Sequence, residues 1–431
     1  MKRRTFLRTA GVLGAIGASG CSTPFDSVSV PDPISGDGTD ETATPELTPT
    51  PEPPATRTGA ALTGVYPGGP GDDLLTNLEA YSTWASQPPA VAMVFVDAFV
   101  PDAAKKGIVE GVFTDIWEAG SVPLVSWQPF LKRKQQTSET IEREIAQGKY
   151  DDGIETWADL LTKWARPRGD KTRGRRFYFR PAHEMNGDWF PWSAVDSSRI
   201  NATATASKSA DTSGPNPAAG TPKDYVEMWR RMHGIFSKTA MDETDIQWIW
   251  SPNVTEVGNI KTERYYPGDK YVDWVGLDGF NFGGTQWYSG WDSPEVLYDP
   301  MMNRMRKLTS KPIALTEFAT SSFVPANDQD ADKDDGQYRP EKKVAWIEDV
   351  FAYIKANDIK MACWFNLDKT GPDEADWAIF GGKRGTSKVT IDEKTYRAYP
   401  EYKRTVNSSE FLNALTDYPP LLTDEEFAGQ F

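Results

Sequence analysis

Between residues 60 and 405, short apolar runs rich in β-branched and aromatic residues alternate with longer stretches whose apolar residues recur every three to four positions. That alternation is the pattern of βα units wound around a parallel sheet. The runs Ala61 to Tyr66, Val91 to Val96, Val122 to Trp127, Arg176 to Arg180, Ile246 to Ser251, Trp274 to Asp278, Ile313 to Glu317 and Lys360 to Phe365 predict eight strands. The stretches Tyr225 to Phe236, Glu295 to Leu308 and Glu341 to Asn357 predict intervening helices. Eight such units fit a single (β/α)8 TIM barrel. An open doubly wound sheet would want a phosphate-cradling glycine loop after the first strand. Gly64, Gly68, Gly69 and Gly71 do not make that spacing. The barrel domain is expected over residues 59–410, with residues 200–222, a Ser, Thr, Ala, Gly and Pro segment, as a flexible loop after strand four and residues 411–431 as a C-terminal tail.

The first 58 residues read differently. Lys2-Arg3-Arg4-Thr5-Phe6-Leu7-Arg8 is a basic region with paired arginines, followed by a short Gly/Ala-rich apolar stretch up to Ser19-Gly20-Cys21. Residues 1–21 resemble a twin-arginine export signal that ends in a lipoprotein-like cleavage box. The stretch from Thr9 to Gly20 is well short of the ~20 apolar residues a membrane span needs. Residues 22–58, rich in Pro, Thr, Ser, Asp and Glu, are expected as a disordered linker. A lipid on Cys21 would then tether an exported domain to the outer face of the cell membrane, release as a secreted protein being the alternative, and this lipid is the one membrane contact expected. The formal net charge is −15, and loss of Lys2, Arg3, Arg4 and Arg8 with the signal would take it to −19. Such acidity argues against nucleic acid and against acidic polysaccharide as partners. A monomer is expected.

The chemistry concentrates in Arg180-Pro181-Ala182-His183-Glu184-Met185-Asn186-Gly187-Asp188-Trp189-Phe190-Pro191-Trp192. Glu184 follows a strand-like run and precedes the turn signal Asn186-Gly187, which puts it at a strand end, where parallel α/β enzymes keep their chemistry. Trp189 and Trp192 beside it would desolvate a carboxyl and raise its pKa. In the plain alternative these tryptophans are core residues and Glu184 is a solvated loop acid. Glu317, at the end of strand seven, is expected on the same barrel face, with alternation placing Ile313, Leu315 and Glu317 in the inward row. Two carboxyls across one pocket suggest glycoside hydrolysis. Arg180 shares strand parity with Glu184 and is expected to point inward, toward a carboxylate partner.

These blocks, together with Trp250-Ser251-Pro252-Asn253, Tyr265-Tyr266-Pro267-Gly268, Asp273-Trp274-Val275-Gly276-Leu277-Asp278-Gly279, Thr316-Glu317-Phe318 and Trp364-Phe365-Asn366, resemble glycoside hydrolase family 26 in content and order, from about residue 60 to about residue 405. The resemblance implies a (β/α)8 barrel and retaining cleavage of β-linked polysaccharide, chiefly β-mannan, with mixed-linkage β-glucan and β-xylan as other family substrates. It also implies Glu184 as acid/base, Glu317 as nucleophile, His183 as a substrate contact, and Trp189 and Trp364 as sugar-stacking rings. The chain departs from the family at Phe280, where a Tyr hydroxyl usually contacts the nucleophile. Arg180 and Asn281 are the expected substitute donors.

The expected reaction is attack by Glu317 on the anomeric carbon while Glu184 protonates the leaving oxygen, with the two carboxyls near the retaining separation of ~5 to 5.5 Å. Trp127 and Asp97, at proposed strand ends, and Asn281 are further substrate-binding candidates. Trp287 and Trp291 either extend the cleft or pack in the core, and His233 has no assigned role. No cofactor and no metal are expected: the histidines are His183 and His233 and the cysteines Cys21 and Cys363. Two alternatives stay open, the same chemistry on mixed-linkage glucan or exopolysaccharide, and a catalytically silent carbohydrate-binding lipoprotein.

Overall fold

The computed structural model describes residues 52, 54–69, 72–167, 174–194, 220–286, 289–325, 336–371 and 374–431. The export signal, Cys21, Trp287 and the loop expected over 200–222, apart from its last three residues, lie outside the described residues.

Eight parallel strands close on themselves: β1 (Ala61–Tyr66), β2 (Val91–Phe99), β3 (Val122–Leu131), β4 (Phe177–Pro181), β5 (Ile246–Trp250), β6 (Trp274–Asn281), β7 (Ile313–Thr320) and β8 (Ile359–Phe365). Neighbours in sequence pair throughout, and β1 closes onto β8 from Leu62↔Met361 to Tyr66↔Phe365. Strand alternation builds the two layers. In β4, Phe177 and Phe179 turn outward, against Trp164 and Phe236 of the helix layer, while Tyr178 and Arg180 turn inward, to Trp274 and Asp278 of β6.

The outer layer comprises α1 (Asp72–Ala85), an α–π–α segment (Asp102–Glu118), α2 (Asp151–Ala165), α3 (Pro222–Phe236), α4 (Pro294–Leu308), α5 (Pro340–Ala356) and α6 (Pro400–Val406). Only short 3-10 turns, Thr262–Tyr265 and Asp269–Tyr271, join β5 to β6. The helix read from Tyr225 starts three residues earlier because Thr221 caps it reciprocally with Asp224 and Pro222 presets the first turn. Strands β2, β3, β6 and β7 run three or four residues past their expected ends, so Glu317 lies inside β7 rather than at its tip.

Two boundaries differ from the sequence reading. Residues 411–431 are no loose tail but the floor of the barrel: Phe411 and Leu412 pair with the start of β1, and Phe427 packs on Tyr178 at 4.7 Å. The end of the expected linker is tied to the same floor. Arg57 donates to both carboxylate oxygens of the buried Glu426, at 2.8 and 3.1 Å, and to Asn413 O at 2.7 Å. Gly429, at φ 69°, meets Trp274 so closely that a Cβ would stand 2.6 Å from the indole. Among the described residues no helix is long and apolar enough to cross a membrane.

If this floor carries stability, Phe427→Ala will destabilise the fold by about 3–5 kcal/mol, as large-to-small changes at buried aromatics do. Chemical denaturation of wild type and variant measures the difference; equal stabilities would mean that the segment only decorates the barrel.

Candidate active site

β4 ends at Pro181, and the chain then takes two left-handed residues that are not glycine, Ala182 at φ 48° and Glu184 at φ 53°. Each costs about 1–3 kcal/mol of backbone strain, and such strain persists only where the surroundings fix it. Here Ala182 N donates to Trp127 O (2.9 Å), Glu184 N to Ser251 O (2.7 Å), and the Tyr225 hydroxyl to Ala182 O (3.0 Å). Strand parity is therefore not what brings Arg180 and Glu184 together; a pinned, strained turn is.

The Glu184 carboxyl is buried and held at both oxygens by neutral donors: Trp189 Nε1 at 2.6 Å and Asn253 Nδ2 at 2.8 Å. Trp189 lies flat over Gly187, where a Cβ would stand 2.5 Å from the ring. Asn253 is clamped in turn by Asn186, whose Oδ1 accepts from Asn253 N and whose Nδ2 donates to Asn253 O, each at 2.8 Å. The Asn and Gly of the His-Glu-Met-Asn-Gly block thus position the two donors of its Glu.

Glu317 reaches the pocket by another route. The β6–β7 register slips between Leu277↔Leu315 and Asp278↔Glu317, a bulge that lets the adjacent Thr316 and Glu317 both face the barrel interior. Simple alternation through Ile313, Leu315 and Glu317 does not account for its direction. Thr316 Oγ1 donates to Asp278 Oδ1 at 2.7 Å, and Glu317 Oε1 lies 2.7 Å from Arg180 Nη2. Arg180 is fully buried; its Nη2 donates to Asp278 Oδ2 (2.6 Å) and its Nη1 to Ser126 Oγ (2.7 Å). The contact with Glu317 is a close ion pair without an aligned N–H, so Glu317 Oε1 is left without a hydrogen bond. The carboxylate partner expected for Arg180 is double, Asp278 and Glu317.

Burial raises Glu184 to about 7, with Asp278 adding repulsion and Asn253, Trp189 and Arg180 pulling it down. Burial also lifts Glu317, against the pull of Arg180. The two carboxyls are coupled, so their titration belongs to the pair. The guanidinium touches Glu317 and not Glu184, and that contact favours the negative charge on Glu317 and the proton on Glu184. His183 is buried among Phe95, Phe190 and Trp192, with Nε2 3.9 Å from Glu317 Oε1. Burial and Arg180 push its pKa well below the ordinary value, so the imidazole is neutral.

Three expected substrate contacts are corrected. Trp127 is buried between Phe99 and Phe179, on the helix side of β3, and Ser126 takes the inward position beside it. Trp364 is fully buried against Trp346 and Tyr402 of the helix layer, with its indole N–H on Trp377 O. The ring that β8 offers to the mouth is Phe365, 4.9 Å from Tyr66 and 5.6 Å from Phe280. Asn281 is spent on structure: its Nδ2 donates to Thr320 Oγ1 at 3.0 Å and its Oδ1 accepts from Asp292 N at 3.1 Å. It is therefore not the donor that replaces a hydroxyl at Phe280. Asp97 sits half-buried at the rim, paired with Lys134 at 3.1 Å. Trp291 packs against the core, and His233 is half-buried between Trp248 and Tyr271. Asn253, Asp278 and Tyr66 were given no role from sequence, although an inward Arg at Arg180 already demanded an acid such as Asp278. Among the described residues no group of three or more His, Cys, Asp or Glu is placed to hold a metal.

A family model described as Glycosyl hydrolase family 26 matches residues 97–292. Endoglucanase H of Acetivibrio thermocellus is 29% identical over 268 residues, 61% of this chain and 23% of that protein. A mannan endo-1,4-beta-mannosidase of Bacillus subtilis is 28% identical over 197 residues, 43% of this chain and 47% of that protein. The matched stretches thus span less than half the length of these relatives. In structure, the catalytic domain of a GH26 endo-beta-1,4-mannanase from Bacillus sp. JAMB-750 is similar at a TM-score of 0.51 and 14% identity, covering 84% of this chain and 90% of that one. That likeness shows the fold.

Two consequences are measurable. Trp189→Phe keeps a ring but deletes the N–H that favours the Glu184 carboxylate, so the alkaline limb of any pH–rate profile will move to higher pH. Gly187→Ala, which displaces the same indole, will move it the same way; unmoved limbs would mean that Trp189 does not tune Glu184. The second consequence concerns stability. A carboxyl raised from 4.5 to about 7 on folding opposes folding increasingly as pH rises through that window and by a constant amount above it. Glu184→Gln will accordingly gain stability relative to wild type between pH 4.5 and 7, as read by thermal unfolding at each pH.

Proposed function

We propose that this chain, a member of glycoside hydrolase family 26, is a retaining endo-β-glycanase that hydrolyses β-1,4-mannan-type polysaccharide, with Glu184 as acid/base and Glu317 as nucleophile. The observation that carries the reading is the contrast between the two buried carboxyls: Glu184 rests on neutral donors, which suits an acid, and Glu317 rests on a guanidinium, which favours its charge. That is the division of labour a retaining glycosidase requires.

The steps follow from that division. Glu317 attacks the anomeric carbon and forms a glycosyl ester as the glycosidic bond breaks. Glu184 gives its proton to the departing oxygen. Glu184, now ionised, takes a proton from water, which attacks the same carbon and releases the sugar with its configuration retained. Neutral His183 and the Trp189 ring border the place where that sugar would sit. The B. subtilis relative, named as a mannan endo-1,4-beta-mannosidase, supports mannan as substrate. A second reading, β-glucan as substrate, is supported by Endoglucanase H, which matches 61% of this chain.

Assays of reducing ends on β-mannan, mixed-linkage β-glucan and β-xylan decide between substrates, and NMR of the first product anomer decides the stereochemistry. Glu317→Ala will abolish hydrolysis. Glu184→Ala will lower it by about 10²–10⁴-fold on an unactivated polysaccharide, the range typical of a lost general acid. Hydrolysis by Glu317→Ala at the wild-type rate would overturn the mechanism, and saccharide binding without products by the wild type would point to a silent binding protein.

A further inference from the structure

Glu317 presents an unusual problem for a nucleophile. It is buried, it faces Asp278 and Glu184, and its Oε1 touches Arg180 without receiving an aligned hydrogen bond. Arg180 cannot turn further toward it, because the same Nη2 donates to Asp278 and Nη1 is committed to Ser126. His183 Nε2, at 3.9 Å, is beyond hydrogen-bond reach. Phe280 brings to this side of the mouth only a ring, stacked edge-on to Phe365.

One phenol stands in the same ring of side chains. Tyr66 is the last residue of β1 and lies opposite Phe365 in the β1–β8 register. Its ring is fixed edge-to-face against Phe95 at 5.0 Å and lies tilted against Phe365 at 4.9 Å, and Phe95 in turn packs on His183. The aromatic body is thus anchored on two sides, and the residue keeps 7% of its surface open. Its hydroxyl makes no hydrogen bond to any described residue, nor is it among the sealed polar atoms left without a partner. A buried ring with an uncommitted, accessible hydroxyl is uncommon, since the polar end of a buried Tyr usually finds a partner. The charge of Glu317 is felt at this hydroxyl: after burial, it is the further cause that raises Tyr66, to about 12.

We propose that Tyr66 is a positioning residue for the nucleophile, its hydroxyl donating to the Glu317 carboxylate through one water. The inference rests on the reading of Glu317 as the nucleophile. The donor favours the ionised carboxylate and steadies its orientation for attack, so its loss weakens the nucleophile without removing a packing ring.

The test is Tyr66→Phe, which keeps the contacts with Phe95 and Phe365. The expected result is an unchanged unfolding midpoint, KM within about twofold, kcat lower by about tenfold, and an acid limb of kcat/KM displaced upward by about one pH unit, the scale of one hydrogen bond to a charged group. A lower kcat with an unmoved acid limb overturns the proposal, as does an unaffected enzyme. Should the wild type hydrolyse none of the polysaccharides, the functional reading fails separately, and Tyr66 is judged without turnover. In protein labelled at tyrosine 13Cζ, with the resonance assigned by Tyr66→Phe, Glu317→Gln at pH 7 will shift the Tyr66 signal. A resonance indifferent to Glu317→Gln overturns the contact.

Discussion

One buried guanidinium organises the centre of this barrel. Arg180 is fully enclosed and cannot give up its proton, so its charge must be met inside the protein. Asp278 meets it with an aligned hydrogen bond and Glu317 with a close ion contact. Ser126, Ser251 and Thr316 complete the shell around the guanidinium and Asp278. The result is a polar layer between an apolar floor and an open mouth, with one positive charge set against Asp278, Glu317 and Glu184. Three carboxylates around one guanidinium would leave excess negative charge in a place with little water. The cheapest relief is to protonate the carboxyl farthest from the guanidinium's donors, and that carboxyl is Glu184. The asymmetry that acid/base chemistry needs follows from this count of charges rather than from any feature of Glu184 alone.

The backbone cooperates with the electrostatics. Glu184 stands on a strained turn that exists because Trp127, Ser251 and Tyr225 each hold one of its groups. Glu317 stands on a bulge that breaks the two-residue rhythm of β7. Neither acid therefore occupies a position that an ideal strand would provide. An ideal strand would turn either Thr316 or Glu317 outward, and Asp278 would lose a donor or the pocket would lose its second carboxyl. Each acid stands on a local deviation from regular structure, and the bonds around that deviation offset its cost.

Much of this was legible in the residues. The eight apolar runs marked the eight strands because burial on both faces demands them, and the three predicted helices each start one to three residues early, two of them at the caps Thr221 and Ser293. Strand ends were legible least, because the last residues of β3, β6 and β7 include Gln128, Asn281 and Thr320, buried polar side chains that do not look like strand. Residue type also misled at Trp127 and Trp364. A tryptophan at a barrel mouth reads as a sugar platform, yet alternation from the inward Ser126 places Trp127 among the helices, and only the packing against Trp346 and Tyr402 reveals that Trp364 belongs there too. The bulge at Glu317 left no sequence signal, since nothing in Thr316-Glu317-Phe318 announces an extra residue.

Chemistry and specificity are consequently written in different parts of the molecule. The charges sit on β4, β6 and β7, fixed by a buried network in which any change disturbs several partners at once. The rings that border the mouth on its other side, Phe280, Phe282, Phe365 and Trp377, touch one another, with Phe280 at 5.1 Å and Phe282 at 4.8 Å from Trp377 and Phe280 at 5.6 Å from Phe365. A substitution in that aromatic wall alters shape and stacking while leaving the charge count intact. A substitution in the network alters the charge count whatever sugar is bound. The charge pattern around the two carboxyls is therefore independent of the shape of the wall, and any discrimination among sugars is to be sought in the wall, not beneath it.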